Sequence, residues 1–467
     1  MRQATLLTTR AHMMRALIAR ALVTLAVLGI AGCAGFSKDG GFNTVAAASR
    51  VLLGKEIQWP RSAADRAEVD ARVAVLLAHP LSVEDAVQIA LLNNRGLQGE
   101  FQELGIAEAE MVQAGRLPNP RFDLRHAAAA GQYDIEETLS FNVLALLTMP
   151  YVHGLEQQRF VQTQDSVVLI VARLAKETRE AFYAAVAARQ SLGYLQKVQT
   201  AADTSAQLAR RMVAAGNWNR LDEAREQVFF KDTQRSLARA QLAEASAREH
   251  LMQLLGVSQP PQPQGLQLAA SLPELPQSIE NLPDVEQAVL QDRLDLRLMR
   301  MRLDELRDRL KLTKSTRFVN VLEVGATRVR QGTREQPYEH GYALTLEVPI
   351  FDSGAARVRK AEALYAQAVD RFAQAALEAR SQIRLAYAGY RAAFDIAKQQ
   401  RDDVLPLRQT IAQQNLLRYN AAQIGIFELL ADAREQAASV DDYIGSVRDF
   451  WIAKSELDAA LLGNSTP

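Results

Sequence analysis

Only one cysteine, Cys33, occurs in the 467 residues, so no disulfide can form within the chain and its fold must rest on packing and hydrogen bonding. Aromatic residues are scarce as well, at 6%, against 48% hydrophobic content rich in alanine. That bias argues against a large aromatic-rich sheet core and fits closely packed helices. Net charge is missing too: Lys+Arg and Asp+Glu both number 54, which gives no support to a nucleic-acid or polyanion partner. The six histidines (His12, His79, His126, His153, His250, His340) show no ligand spacing. No glycine-rich phosphate loop follows a strand and no nucleophile motif is present. Met299 and Met301 lie two apart and do not share a helix face. These absences count against an enzyme, and no cofactor or metal site is expected. With 23% charged content the chain is nevertheless not disordered by composition.

What is present begins with compartment. Arg10, Arg15 and Arg20 precede the apolar run Ala21 to Ile30, the pattern of a bacterial secretory signal over residues 1–32. That run is too short to span a bilayer comfortably. Ile30-Ala31-Gly32-Cys33 resembles a lipobox, which implies acylation of Cys33. Ala34 follows instead of aspartate, and the resemblance then implies sorting to the outer membrane. Each buried methylene contributes roughly 0.8 kcal/mol, so more than one acyl chain makes a stable anchor.

Residues 33–80 read as an extended, lipidated arm in which Ala63 to Ala78 has helical spacing. Ser82 as N-cap with Asp85 three residues on starts a helix running to about Gly115. Leu117-Pro118-Asn119-Pro120 breaks it, and strands follow at about 121–129 and 136–149. From Gly154 to about Ala215 a single helix is expected, with a seam at Val167, Val171, Leu174, Thr178, Ala181, Ala185, Ala188, Leu192 and Leu195. Some 60 residues at 1.5 Å each reach roughly 90 Å, too long for a compact domain. The chain turns at Gly216-Asn217-Trp218-Asn219 and returns from Leu221 to Gly256.

A proline-rich connector at 257–283 separates this half, 81–256, from a second at 284–463, with a short tail at 464–467. Val285 to Val289 echoes Val83 to Val87, strands recur at about 317–331 and 338–350, and Ala355 opens a second long helix. Its seam includes Ala361, Tyr365, Ala368, Phe372, Ala375 and Ala379. The second turn lies near Gln423-Ile424-Gly425-Ile426. Both returning helices contain Ala-Arg-Glu-Gln (Ala224 to Gln227, Ala433 to Gln436) and end in Leu-Leu-Gly, so the halves are a duplication. The expected fold is mainly α with a small β part: two tandem helix-strand-strand-helix repeats with long coiled-coil hairpins. Strand-to-helix joints are expected at Pro150 to Gly154 and Pro349 to Gly354, where proline ends pairing and glycine takes the turn.

Four strands per chain leave two open edges, which hydrocarbon does not tolerate. Spanning barrels start at eight strands, so membrane entry needs at least two chains, and three give twelve. Tyr342, Leu344, Leu346 and Val348 suit lipid, while Thr345 and Glu347 face a wet interior, with Glu323 a further lumen candidate.

The order of Leu81 to Leu97, Leu117-Pro118-Asn119-Pro120, Val348-Pro349-Ile350-Phe351-Asp352-Ser353-Gly354, Arg418-Tyr419 and the terminal Leu-Leu-Gly of each half resembles the TolC-like outer-membrane efflux factors. The resemblance implies a homotrimer in outer-membrane lipid, its twelve strands forming one barrel continued by a helical periplasmic tunnel. Its partners would be a periplasmic adaptor and an inner-membrane transporter, and its role passive conduction. Arg293-Leu294-Asp295-Leu296 and Thr316-Arg317-Phe318 depart from the usual family pattern. The gate would lie at the helical turns. There Gly216 and Gly425 permit tight bends, and Asn217, Trp218, Ile424, Ile426 and Phe427 serve adaptor contact or packing between hairpins. Asp222 and Asp432 supply constriction charge or belong to solvated helix surface. Two alternatives stand: a lipid-anchored periplasmic coiled-coil scaffold without a pore, and a protein-secretion duct of the same architecture. Drugs, metal ions and proteins all remain open as cargo.

Overall fold

A computed structural model describes residues 35–258, 265–279, 293–333 and 335–463. The signal segment, Cys33, the Val285 to Val289 echo and the tail lie outside them. The chain divides into two compact units. One holds the sheet with its flanking helix ends, and the other holds most of the long helices.

In the helical unit, the arm carries the helix expected near Ala63 to Ala78 as α2 (Ala63–Leu77), and ahead of it a helix in place of extended chain, α1 (Phe42–Leu53). A ring cluster holds this segment: Phe42 meets Phe101 edge-on at 5.1 Å, and Trp59 lies 5.9 Å from Phe42. Ser62 and Asp65 form a capping box at the start of α2, and Ser82 and Asp85 form the expected one at α3 (Val83–Asn93). The helix expected through Gly115 is broken at Asn94, whose backbone is extended and whose side chain caps α4 (Arg95–Ala114) through the Leu97 amide at 3.0 Å. Helix α5 (Val143–Ala214) is continuous over 72 residues, and α6 (Arg220–Leu255) returns from it. The α5 seam is buried from Val167 through Ala185, and its one polar member, Thr178, donates to the Leu174 carbonyl at 2.7 Å.

The two Leu-Leu-Gly endings have one physical explanation. Gly256 takes a left-handed φ of 67°, and a Cβ there would stand 2.6 Å from the Asn93 carbonyl oxygen. The Asn93 amide in turn donates to the Leu255 and Gly256 carbonyls at 3.0 and 2.9 Å. At the end of α10 (Ile426–Leu462), Gly463 is left-handed at 84° and is crowded by Asp295. There the buried Arg293 donates to the Ala460 carbonyl at 2.9 Å while paired with Asp295 at 2.7 Å. One repeat thus satisfies its last carbonyls with an amide and the other with a guanidinium.

The second long helix is α8 (Ala355–Gln399), a π turn at Gln400–Val404, and α9 (Leu405–Asn420). Pro406 lacks the N–H that would reach the Asp402 carbonyl, which places the irregular turn where a regular bond is unavailable. Phe450 of α10 stacks on Tyr390 at 5.4 Å in a core with Phe394 and Leu457. Described connector residues 265–279 are held by side chains: Trp451 donates to the Pro273 carbonyl at 3.1 Å and Arg189 to that of Leu268 at 2.8 Å.

Tyr183 of α5 is buried against Trp451, with ring centroids 5.5 Å apart, and burial pushes its hydroxyl up to about 12. The unfolded tyrosine ionises near ~10, so stability present below that pH is lost as pH rises towards 12. Tyr183→Phe should therefore lose less stability than the parent between those limits, read by circular dichroism during alkaline titration.

In the sheet unit, β1 (Arg121–Ala129), β2 (Gln132–Asn142), β3 (Leu322–Gly332) and β4 (Glu339–Leu346) form one antiparallel sheet in that order. Ala130 and Gly131 both have positive φ, the two-residue hairpin turn that matches strand twist. Helix α7 (Leu294–Ser315) leads into β3.

Four strand boundaries are corrected, the first being the start of β2, at Gln132 instead of 136, since the hairpin needs only the two residues Ala130 and Gly131. β2 stops at Asn142 instead of 149, because Asn142 pairs with Glu323 at the start of β3 and its side chain then caps α5 through the Ala145 amide at 2.8 Å. Pro150 and Gly154 consequently lie inside α5 and form no strand-to-helix joint. β3 begins at Leu322 instead of 317, since Thr316 to Phe318 complete the last turn of α7. β4 ends at Leu346 instead of 350, and the joint at Pro349 to Gly354 is irregular backbone as expected. Gly354 has a φ of 71°, its amide donates to Asp352 at 2.8 Å, and a Cβ would run into the Arg317 carbonyl.

Candidate functional site

Cross-strand register assigns every strand residue to one of two sheet faces. One carries Phe122, Leu124, Leu139, Phe141, Leu322, Val324, Ala326, Tyr342, Leu344 and Leu346 in adjacent rows. These side chains are largely bare, Tyr342 at 94% exposure and Leu344 at 68%. Val348, Ile350 and Phe351 continue the exposed apolar surface past β4. The opposite face carries only polar, charged, small or single-valine positions: Arg121, Asp123, Arg125, Asp134, Glu136, Thr138, Ser140, Glu323, Thr327, Val329 and Glu339 among them. Thr138 and Thr327 join across it at 3.0 Å, and Arg121 sits 3.5 Å from Asp123. Glu323 pairs with Thr345 on this face. Glu347 lies just past β4, exposed, accepting from the Asn320 amide at 2.9 Å. β1 and β4 are the edges, each hydrogen-bonded on one side only.

Both helical turns are built alike. In the first, Gly216 has a φ of 75° and the Asn217 amide reaches back to the Met212 carbonyl at 2.9 Å. In the second, the Gln423 amide reaches the Arg418 carbonyl at 2.8 Å, but the left-handed residue is Ala422, at 57°. Gly425 has an ordinary extended backbone and is the N-cap of α10, so it does not supply the bend. Its counterpart in the first turn is Asn219, which accepts from the Asp222 amide at 2.9 Å. Holding alanine in the left-handed region costs about 1 kcal/mol. Ala422→Gly should therefore stabilise, and Gly216→Ala destabilise, by about that amount in urea unfolding followed by helical ellipticity.

Trp218 is half-buried, Ile424 is buried and Ile426 is half-buried, whereas Asn217 is exposed. Phe427 is the second residue of α10, and its side chain lies outside the described structure. Asp222 is tied into its own cap, accepting from Asn219 at 2.7 Å and pairing with Arg225 at 3.4 Å. Asp432 is 8% exposed, so it is not solvated helix surface.

Counting from each N-cap gives Glu226 and Asp432 as equivalents, each seventh after its cap and each buried. Glu226, 1% exposed, accepts from Ser205 of α5 at 2.7 Å and pairs with Arg434 of α10. The Arg434 guanidinium also lies 4.3 Å over the Phe229 ring. Sequence reasoning missed this network. Its signal was the shared Ala-Arg-Glu-Gln, whose first copy supplies the acid and whose second supplies the base.

Among the described residues no helix is long and apolar enough to cross a membrane, and no three or more His, Cys, Asp or Glu side chains are placed to hold a metal.

A strand hairpin set between helices, repeated once so that the two copies make one four-stranded, two-faced sheet, defines the TolC-like outer-membrane channel fold. Solved structures bear this out. The chain superimposes on the CmeC outer membrane channel of Campylobacter jejuni with a TM-score of 0.67 at 13% identity, covering 92% of this chain and 93% of that one. It matches the open state of the MtrE outer membrane channel of Neisseria gonorrhoeae with a TM-score of 0.67 at 15% identity, covering 82% and 89%. For CusC the TM-score is 0.66 at 17% identity, covering 81% and 91%. In sequence, the cobalt-zinc-cadmium resistance protein CzcC of Cupriavidus metallidurans is 24% identical over 283 residues, 59% of this chain. The alignment spans 64% of CzcC. No protein-family model matches.

Proposed function

We propose that this protein is the outer-membrane exit duct of a tripartite efflux system, a homotrimer that conducts passively what an inner-membrane transporter and a periplasmic adaptor deliver. The observation that carries the reading is the sheet: apolar and bare on one face, polar on the other, with both edges open. In hydrocarbon each unpaired backbone group costs several kcal/mol, so β4 of one chain must pair with β1 of the next until a ring closes. Three chains close it at twelve strands, within the range of outer-membrane barrels. The apolar face then meets lipid, and Glu323, Glu347 and the other polar-face side chains meet the lumen.

The turns at Gly216 and Ala422 serve as the adaptor-facing tip, with the exposed Asn217 and the half-buried Trp218 and Ile426 offering contacts and the buried Ile424 packing the turn. Acylation of Cys33 anchors the same chain to the outer membrane. The likeness to CzcC and the excess of carboxylates on the polar face favour cationic cargo.

The test is the state of the mature protein in detergent. A trimer by light scattering, which migrates faster unheated than boiled and conducts in planar bilayers, is the expected result. A water-soluble monomer after removal of the lipid anchor would establish the scaffold reading instead.

A further inference from the structure

Closing the ring joins β4 of one chain to β1 of its partner, and the two edges restrict the register of that joint. Opposite residues of an antiparallel pair share a face. To keep the apolar side continuous, Tyr342, Leu344 and Leu346 must therefore meet positions on the side of β1 that carries Phe122 and Leu124. The permitted registers then differ by steps of two residues. With Leu346 opposite the partner's Phe122, all eight residues of β4 pair, against eight of the nine in β1. A slip of two loses one pair in one direction and two in the other.

The stagger of the sheet agrees with this register. The row through Arg121 passes Ser140 and Gly325 to Ala343, three residues before β4 ends, so the sheet already steps by about one residue per strand. Opposite Ala343 now stands the partner's Arg125, which continues the step to four residues per chain and twelve around the ring. A barrel whose shear equals its strand number tilts its strands by about 36°, inside the range for closed barrels.

Below the paired residues, Pro120 and Pro118 of the partner fall opposite Val348 and Ile350, and Pro349 falls between them. Neither edge has a full set of N–H donors there, so the ladder ends on both chains at one level. On the polar face, at that level, Glu347 stands opposite the partner's Arg121. Directly opposite residues have Cβ atoms about 4.5–5.5 Å apart, within reach of an ion pair. Each already has a contact in its own chain: Glu347 accepts from Asn320 at 2.9 Å, and Arg121 lies 3.5 Å from Asp123. Both keep capacity, since a carboxylate has several acceptor sites and a guanidinium several donors. Both are also exposed, the Arg121 side chain at 69%. A slip of two sets Glu347 against the partner's Asp123, which repels it, or against the partner's Asn119, which is neutral.

We propose that the trimer closes with Leu346 opposite the partner's Phe122 and is pinned in that register by an ion pair between Glu347 and the partner's Arg121. The assignment rests on the duct reading, since it requires strands of different chains to pair.

The experiment places one cysteine on each edge of the full-length chain, oxidises the trimer in detergent and reads covalent dimers and trimers on boiled, non-reducing gels. Glu347→Cys with Arg121→Cys should cross-link about tenfold faster, or more, than the two slipped pairs, whose Cβ atoms stand about 7–8 Å apart in this register. Those pairs are Glu347→Cys with Asp123→Cys and Thr345→Cys with Arg121→Cys. Cys33 is common to every variant, and the chain without added cysteines gives its background. The ion pair is read separately by charge exchange. Glu347→Arg should lower the temperature at which the trimer band is lost, and adding Arg121→Glu should restore most of that loss. Unheated migration reports whether each variant is a trimer, and the charge exchange decides where a cysteine pair prevents assembly. Faster cross-linking by a slipped pair would overturn the register and leave the duct standing. Absence of rescue by the exchanged charges would overturn the ion pair. Failure of the unmodified protein to form a trimer would overturn the duct reading and the register with it.

Discussion

Reconstituted in a planar bilayer at about 0.1 M salt, the trimer should pass cations in preference to anions, and neutralising its polar sheet face should abolish that preference. The strands place five carboxylates on that face (Asp123, Asp134, Glu136, Glu323 and Glu339) against two arginines (Arg121 and Arg125), a net of −3 per chain and −9 for three. Glu347 adds to the excess just beyond β4. Charge of one sign lining a narrow low-dielectric wall concentrates counter-ions and excludes co-ions, which is how rings of acidic side chains select cations. At this ionic strength the Debye length is about 10 Å, so the lumen charge is felt well into the aqueous path. Replacing Asp134, Glu136 and Glu339 by their amides brings the strand charge to zero without changing side-chain size. The measurement is the reversal potential in a salt gradient, which should move from the cation side to near zero. If it does not move, selectivity is set elsewhere along the duct, and the carboxylates on this face have no part in choosing cargo.

Much of this arrangement was legible in the amino-acid order. Period-two alternation gave the apolar face of β4, and the Leu-Leu-Gly endings marked two helix ends that prove to need glycine for both φ and space. Legibility failed where a tertiary partner decides. Val143, Ala145 and Leu147 alternate like a strand, but β3 starts at Leu322, one residue beyond the partner of Asn142, and offers nothing opposite Ala145 or Leu147, so Asn142 starts a helix instead. Matching the turns by their glycines aligned Gly216 with Gly425, whereas the backbone aligns Gly216 with Ala422, a residue whose strain no composition rule reveals. Matching Ala-Arg-Glu-Gln to itself was likewise out of step by three residues: counted from the caps, Glu226 answers to Asp432 and not to Glu435. The helix Phe42–Leu53 was unforeseen because its anchor is a contact between Phe42 and the distant Phe101.

Removing Arg434 should destabilise the helical unit far more than removing its partner Glu226, although both mutations break one ion pair. Glu226 is 1% exposed, and its remaining neighbour, Ser205, offers one hydroxyl. Arg434→Met therefore strands a carboxylate away from water, the situation in which breaking a buried pair costs about 3–5 kcal/mol. Glu226→Gln leaves an amide that still accepts from Ser205, while the Arg434 side chain, 30% exposed, keeps its place over Phe229 and turns its free edge to water. That change should cost about 1–2 kcal/mol, in the range of a lost charged hydrogen bond. The double variant should be more stable than Arg434→Met alone, because the stranded charge is gone, and the resulting coupling is the diagnostic quantity. Unfolding in urea, followed by helical ellipticity on all four proteins, gives the cycle. Equal single-variant costs that simply add would mean that the two side chains act independently, and that α6 and α10 are held together here by packing alone.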